Sequence, residues 1–278
     1  MRAELRAKRD AFLHKIKSRP AVMGVLNLTP DSFSDGGRFQ ALDAAVAHAQ
    51  AMVTEGCDIV DIGGESTRPA AVAVPEAEEL ARIEPILTAL VRRLDVPLSI
   101  DTYKAAIAVR ACEIGAVMVN DVWGLQKDAE MADAVAQTEA AVVITYNRAE
   151  RDGAVDIFED MRRFFDRSLA LAAKAGIRPE LIILDPGIGF GKTTRQNVEA
   201  LARIPDLKDY GFPILVGASR KAFLGSLTGD GVEATPIGTV AVNLTAAAGG
   251  AAVFRVHEVA ANVAALRVWQ AIHGDTRR

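Results

Sequence analysis

Eight apolar runs rich in β-branched residues punctuate the chain, and nearly all end in side chains able to bind or react. The first, Met23 to Asn27, passes into the polar loop LTPDSFSDGG, where Thr29, Asp31, Ser32, Ser34 and Asp35 surround Phe33. A connecting turn needs only one or two such residues, so this density of oxygens points to binding. CDIVDIGGESTRP carries Asp61, Glu65, Ser66, Thr67 and Arg68; PLSIDTYK leads to Asp101, and AVMVNDVWG to Asn120 and Asp121. AVVITYNR runs into Thr145, Tyr146, Asn147 and Arg148. LIILDPGIGFGK reaches Asp185, a glycine-rich turn, Phe190 and Lys192. PILVGASRK closes on Ser219, Arg220 and Lys221, and AAVFRVHEV on Arg255 and His257. Runs that are apolar throughout, not alternating, are what a parallel strand covered on both faces requires.

Segments of helical period lie between the runs: 41–55, 75–94, 104–114, 128–138, 156–175, 195–204 and 259–272. The stretch 221–250 holds the helix after the seventh run, with a Gly-rich interruption expected over Gly225–Gly231. Eight strand–helix units without a linker predict an α/β chain folded as a single (β/α)8 TIM barrel, residues 21–278, with a short N-terminal helix over residues 1–20. In that fold the C-terminal strand ends form the active face, where these polar clusters sit. A doubly wound open sheet would concentrate its chemistry at one switch point instead.

Composition narrows the function. The 278 residues are 50% hydrophobic but only 5% aromatic, so the core is built from Ala, Val, Leu and Ile. A net charge of −4 argues against a nucleic-acid footprint, which needs a basic face. No apolar run is long enough to predict a membrane span. The basic start, MRAELRAKRDAFLHKIKSRP, lacks the apolar segment of a secretory signal. Cys57 and Cys112 stand in no metal or redox spacing and are expected to be reduced thiols of a cytoplasmic protein.

The strand ends together offer the carboxylates Asp61, Asp101 and Asp185, the amides Asn27 and Asn120, the cations Arg68, Arg220, Lys221 and Arg255, and His257. No Ser or Cys motif accompanies that histidine, and no His cluster suits zinc. The mixture fits a planar, hydrogen-bonding heterocycle held by acids and amides, beside an anion held by Arg, Lys and His. Asn27 and its loop are suited to a hard cation such as Mg2+, which takes only one or two protein ligands when it also grips phosphate.

The segments MGVLNLTPDSFSDGG, DIGGESTRP, SIDTYK, VNDV, LDPGIGFGK, GASRK and FRVHEV, in this order and spacing, resemble the dihydropteroate synthase family of folate biosynthesis from about residue 22 to 272. The resemblance implies the same barrel, a homodimer, an enzyme of the sulfonamide-target class, and a transferase reaction. That reaction joins 6-hydroxymethyl-7,8-dihydropterin diphosphate to p-aminobenzoate and releases diphosphate. It also implies that Asp101, Asn120, Asp185 and Lys221 hold the pterin, with Asp61 and Thr145 at the same pocket. Asn27, Arg255 and His257 match the diphosphate and Mg2+ site. Asp31, Phe33, Thr67 and Arg68 match two loops over the site, and Ser219, Arg220 and Phe190, with Lys221, the aminobenzoate side.

The chain departs from that family after the fifth run. Where the family usually carries Met-His, this sequence has Thr145-Tyr146, then Asn147-Arg148; Trp123 and Leu125 also stand where small residues are common. Tyr146 is a candidate to refill the space of the missing Met. Two alternatives remain: a pterin-binding paralogue with altered substrate or low synthase activity, and a reduced-folate-binding barrel of the corrinoid methyltransferase type. The latter usually lacks both the two-loop motif and the Ser-Arg-Lys turn.

Overall fold

The computed structural model describes residues 1–28, 38–66, 73–229 and 236–274. Its eight strands are all parallel: β1 (Ala21–Asn27), β2 (Ile59–Gly63), β3 (Leu98–Asp101), β4 (Met118–Asp121), β5 (Ala141–Thr145), β6 (Ile182–Asp185), β7 (Leu215–Val216) and β8 (Val253–Val256). They run in the order β6-β5-β4-β3-β2-β1-β8-β7, and a parallel bridge between Leu184 and Ile214 joins the two ends into a closed barrel. The α/β barrel expected from the pattern is the observed architecture.

Helix α1 (Ala3–Ser18) precedes the barrel. The outer layer comprises α2 (Arg38–Glu55), α3 (Glu76–Arg93), α4 (Ala105–Ile114), α5 (Met131–Thr138), α6 (Ile157–Ala175), α7 (Thr194–Ala202), α8 (Ile204–Leu207), α9 (Ala222–Thr228), α10 (Pro236–Gly249) and α11 (Val259–His273). Local chemistry sets several of these ends. Asp156 accepts from the backbone of Phe158 and Glu159 at the start of α6, and Gly176 closes that helix at φ +82°. Thr193 and Gln196 form a reciprocal capping box that opens α7. α3 carries Glu76, Glu78 and Glu79 in its first turn and Arg92 and Arg93 in its last, complementing its dipole. The expected interruption is present but starts later than Gly225, which is buried inside α9; that helix is closed by Gly229 at φ +81°, and α10 begins at Pro236.

Strand parity explains the barrel interior. Met23, Ile59, Met118, Ala141, Val143, Ile183, Leu215 and Val253 share one apolar cluster inside the barrel, apart from the larger cluster between strands and helices. Phe12, Leu13 and Ile16 of α1 belong to the same inner cluster, so this helix plugs the N-terminal end of the barrel. Its Arg9 is fully buried and donates to the Glu139 carbonyl. Two residues further along the same strands, the inward positions become Asp61, Asn120, Thr145, Asp185 and Arg255.

Candidate active site

Arg255, on β8, reaches across the mouth and holds two carboxylates. Its Nε donates to Asp61 Oδ2 at 2.7 Å and its Nη2 to Asp101 Oδ2 at 2.6 Å. Asn120 Nδ2 donates to the same Asp61 oxygen at 2.9 Å. One guanidinium and one amide thus tie β2, β3, β4 and β8 together at the level where the dry interior ends. Satisfaction is only partial: Asp61 Oδ1, Asp101 Oδ1, Asn120 Oδ1 and Thr145 Oγ1 are buried without a hydrogen-bond partner. Stranding so many acceptors is costly unless a ligand supplies donors.

Asp185 ends β6 beside Thr145 of β5. Its Oδ1 accepts from the Gly187 amide at 2.7 Å, and its Oδ2 faces Gly217, lying 3.9 Å from where a Cβ there would sit. Burial pushes its pKa up to about 6, against the Gly187 hydrogen bond and the charges of Lys192, Lys221 and Arg255, which lower it. Burial also raises Asp101 above the usual carboxylate range, with Arg255 opposing and Asp61 adding to the rise.

Phe190 and Lys221 face each other at the β6 and β7 edge, the ammonium 4.0 Å from the ring centroid. Gly189 permits this approach, because a Cβ there would come within 2.8 Å of Lys221 Cδ. Ser219 Oγ lies 3.0 Å from His257 Nδ1 and accepts from the His257 backbone at 3.2 Å. Glu258 accepts from Ser219 and Arg220. Arg220 points to the rim and pairs with Glu258 at 2.5 Å.

Asn27 is half-buried at the end of β1. Its Oδ1 and Asp101 Oδ2 both lie 3.7 Å from where a Cβ on Gly63 would be, so the absent side chain leaves a space between two oxygens. Among the described residues no group of three His, Cys, Asp or Glu side chains stands ready for a metal. The donors present fit a hard cation that takes most of its ligands from a bound anion.

The structure therefore brings Asp61, Asp101, Asn120, Thr145, Asp185 and Arg255 to one mouth, with Asn27, Phe190, Ser219, Lys221 and His257 around it. Arg220 is turned outward. Asp31, Phe33, Thr67 and Arg68 lie outside the described residues.

One contributor was not singled out in the sequence. Lys104 donates to Glu65, to buried Glu79 and to the Val74 carbonyl, anchoring both ends of the β2–α3 connection. Lys192 is completely enclosed beneath the β6–α7 turn. Tyr146 does not refill the pocket: it faces the helices, donating to Asp160 of α6 at 2.6 Å and packing edge-on against Phe164. The inward residue is Thr145. Trp123 lines a cavity of about 340 Å³ beside the mouth, together with Tyr103, Asn147, Arg148 and Phe190.

A closed parallel barrel whose mouth gathers partly unsatisfied acids and amides around Arg255, with Lys221 and His257 beside them, has the form of an enzyme of the (β/α)8 class. Residues 23–257 match the family described as pterin binding enzyme. The dihydropteroate synthase of Clostridium beijerinckii is 44% identical over 254 residues, covering 91% of this chain and 94% of that protein. A crystal structure of dihydropteroate synthase from Clostridium difficile in the presence of pteroic acid superposes with a TM-score of 0.89 at 46% identity, covering 92% of this chain and 98% of the other. That of Xanthomonas albilineans with 4-aminobenzoic acid gives 0.88 at 45%, covering 92% and 94%. The chain belongs to the dihydropteroate synthase family of pterin-binding enzymes.

Proposed function

We propose that this chain condenses 6-hydroxymethyl-7,8-dihydropterin diphosphate with p-aminobenzoate to give 7,8-dihydropteroate and diphosphate, a transferase step in folate biosynthesis. The observation that carries this reading is the set of buried acceptors lacking partners at Asp61, Asp101, Asn120 and Thr145, beside the Asp185 carboxylate. A 2-amino-4-oxo pterin is rich in N–H donors, and paired donors suit a carboxylate well. Asp185, Asn120, Asp101 and Lys221 would hold the ring, with Thr145 and Asp61 completing the pocket.

In the reaction the C–O bond to diphosphate breaks, the aminobenzoate nitrogen bonds to the freed methylene carbon, and that nitrogen loses a proton. Arg255 and His257 would stabilise the leaving diphosphate, and the acidic pocket the cationic pterin. Asn27 would be the protein ligand to a Mg2+ shared with that diphosphate; the ion supplies positive charge to the leaving group. Phe190, Lys221 and Ser219 would receive aminobenzoate, with Arg220 at the rim. The loops bearing Asp31, Phe33, Thr67 and Arg68 would exclude water.

A homodimer is supported by exposed apolar residues on neighbouring helices, Ile237 of α10 and Val268 and Ile272 of α11. Two free, buried cysteines support a cytoplasmic setting, and among the described residues no helix is long and apolar enough to cross a membrane. The test of function is complementation of a strain lacking dihydropteroate synthase, grown without folate end products. Growth is expected; no growth from well-expressed, folded protein would favour the paralogue reading, which the short Thr145 supports.

A further inference from the structure

Lys192 is a buried amine that the proposed reaction does not use. Its Nζ donates to the Gly187 carbonyl at 2.7 Å and lies 3.3 Å from the Phe190 carbonyl, 4.2 Å above the ring of Tyr146. Tyr146 is itself fixed from outside the barrel by Asp160 and Phe164. The turn that Lys192 grips is tightly drawn. Gly187 has φ +63°, and a Cβ on it would fall 1.8 Å from the Tyr146 carbonyl. Phe190 N donates to the same Gly187 oxygen, and Gly189 N to Asn197 Oδ1 at 2.7 Å. The far side of this turn presents Phe190 and Gly189 to Lys221.

From this geometry we propose that Lys192, seated on the Tyr146 ring, is a positioning residue that holds the Gly187–Gly191 turn so that Phe190 meets Lys221 at the aminobenzoate side. The inference rests on the function proposed above for the identity of that substrate, and on the packing around Lys192 for the turn. It assigns a role to the Tyr146 departure: the aromatic ring serves the turn from behind, not the pterin from the front. The amine donates whether or not it carries a proton. Burial pulls its pKa well down, with Asp185 opposing.

A purely structural lysine and a positioning lysine predict different results for Lys192→Met. The apolar chain has similar length and keeps the space filled, while removing the two hydrogen bonds to the turn. The expected result is a KM for p-aminobenzoate at least about tenfold higher, by the scale on which 1.4 kcal/mol is tenfold, and a KM for the pterin diphosphate changed less than about threefold. Hydrogen exchange should quicken at the amides of residues 187–191 alone. Tyr146→Phe, which keeps the ring, should behave as wild type, whereas Tyr146→Leu should share the faster local exchange even if Lys192→Met does not fold. A wild-type KM in Lys192→Met, or exchange that quickens uniformly with a lower melting temperature, would overturn the proposal. If the wild-type chain fails to join the two substrates, the functional reading falls, and the exchange measurement still decides the role of Lys192 by itself.

Discussion

The two ends of the barrel interior use the same strands and the same inward-facing parity for opposite purposes. At the bottom, Ile59, Met118, Val143, Ile183 and Val253 close against Phe12, Leu13 and Ile16 of α1 with no polar atom among their side chains. Two residues higher stand Asp61, Asn120, Thr145, Asp185 and Arg255, with three acceptors among them left unsatisfied. A step of one pleat repeat, under 7 Å by the ~3.3 Å rise per residue, separates side chains that stabilise the fold from side chains that cost stability and that the proposed reaction uses for binding. The lower layer lets the upper one exist: a plugged, dry base fixes the strands that carry partly satisfied charges.

Breaking the upper layer should have the largest functional effect. Asp185→Asn is expected to lower kcat/KM at least about a thousandfold, roughly 4 kcal/mol, because the amide cannot accept from two ring donors at once. Its melting temperature should stay equal or rise, as a buried carboxylate is removed. Steady-state kinetics beside calorimetric unfolding checks both parts, and wild-type turnover would remove Asp185 from the pocket. The mirror experiment is Ile183→Ala, two residues below. It should cost about 3 kcal/mol of stability through the cavity it opens, while kcat/KM measured well below the melting temperature stays within about twofold. Denaturant titration and kinetics on the same preparation test it.

A pH series sharpens the contrast without a large substitution. A carboxyl whose folded pKa is raised binds protons more tightly folded than unfolded. The Asp185 contribution therefore favours the folded chain at low pH and is lost as pH rises from about 4 toward about 6. Pterin binding requires the carboxylate and should strengthen through the same window. Opposite slopes of stability and affinity are expected, and the Asp185 share of the stability slope should vanish in Asp185→Asn. The smallest effect is reserved for Thr145→Met, an inward position at the edge of the upper layer. Added apolar contact should change pterin affinity tenfold or less, at most about 1.4 kcal/mol, as read by calorimetry.

Much of this arrangement is legible in the sequence. The eight runs and the segments between them appear as strands and helices close to the positions their periods predict, and the polar strand ends do gather at one mouth. Parity is what the pattern withholds. AVVIT is apolar on both faces, so nothing in it says whether Thr145 or Tyr146 turns inward; only the closed register, with Thr145 opposite Asp185, decides. The partners of Arg255 are hidden for another reason, since Asp61 and Asp101 lie 194 and 154 residues away. The apolar stripe Phe12, Leu13, Ile16 is readable as a helix face, yet its destination under the barrel depends on an opening that no local signal describes. Lys192 is legible only as a cation after a glycine-rich turn, and its enclosure follows from packing against Tyr146, 46 positions earlier in the chain.

The division between a stabilising base and a reactive mouth rests on what that mouth does. The most direct measurement is diphosphate release from 6-hydroxymethyl-7,8-dihydropterin diphosphate by the purified wild-type chain, with and without p-aminobenzoate, in the presence of Mg2+. Release that depends on p-aminobenzoate and is matched mole for mole by 7,8-dihydropteroate is the expected result. Release at the same rate without the amine, or none with it, would contradict the account.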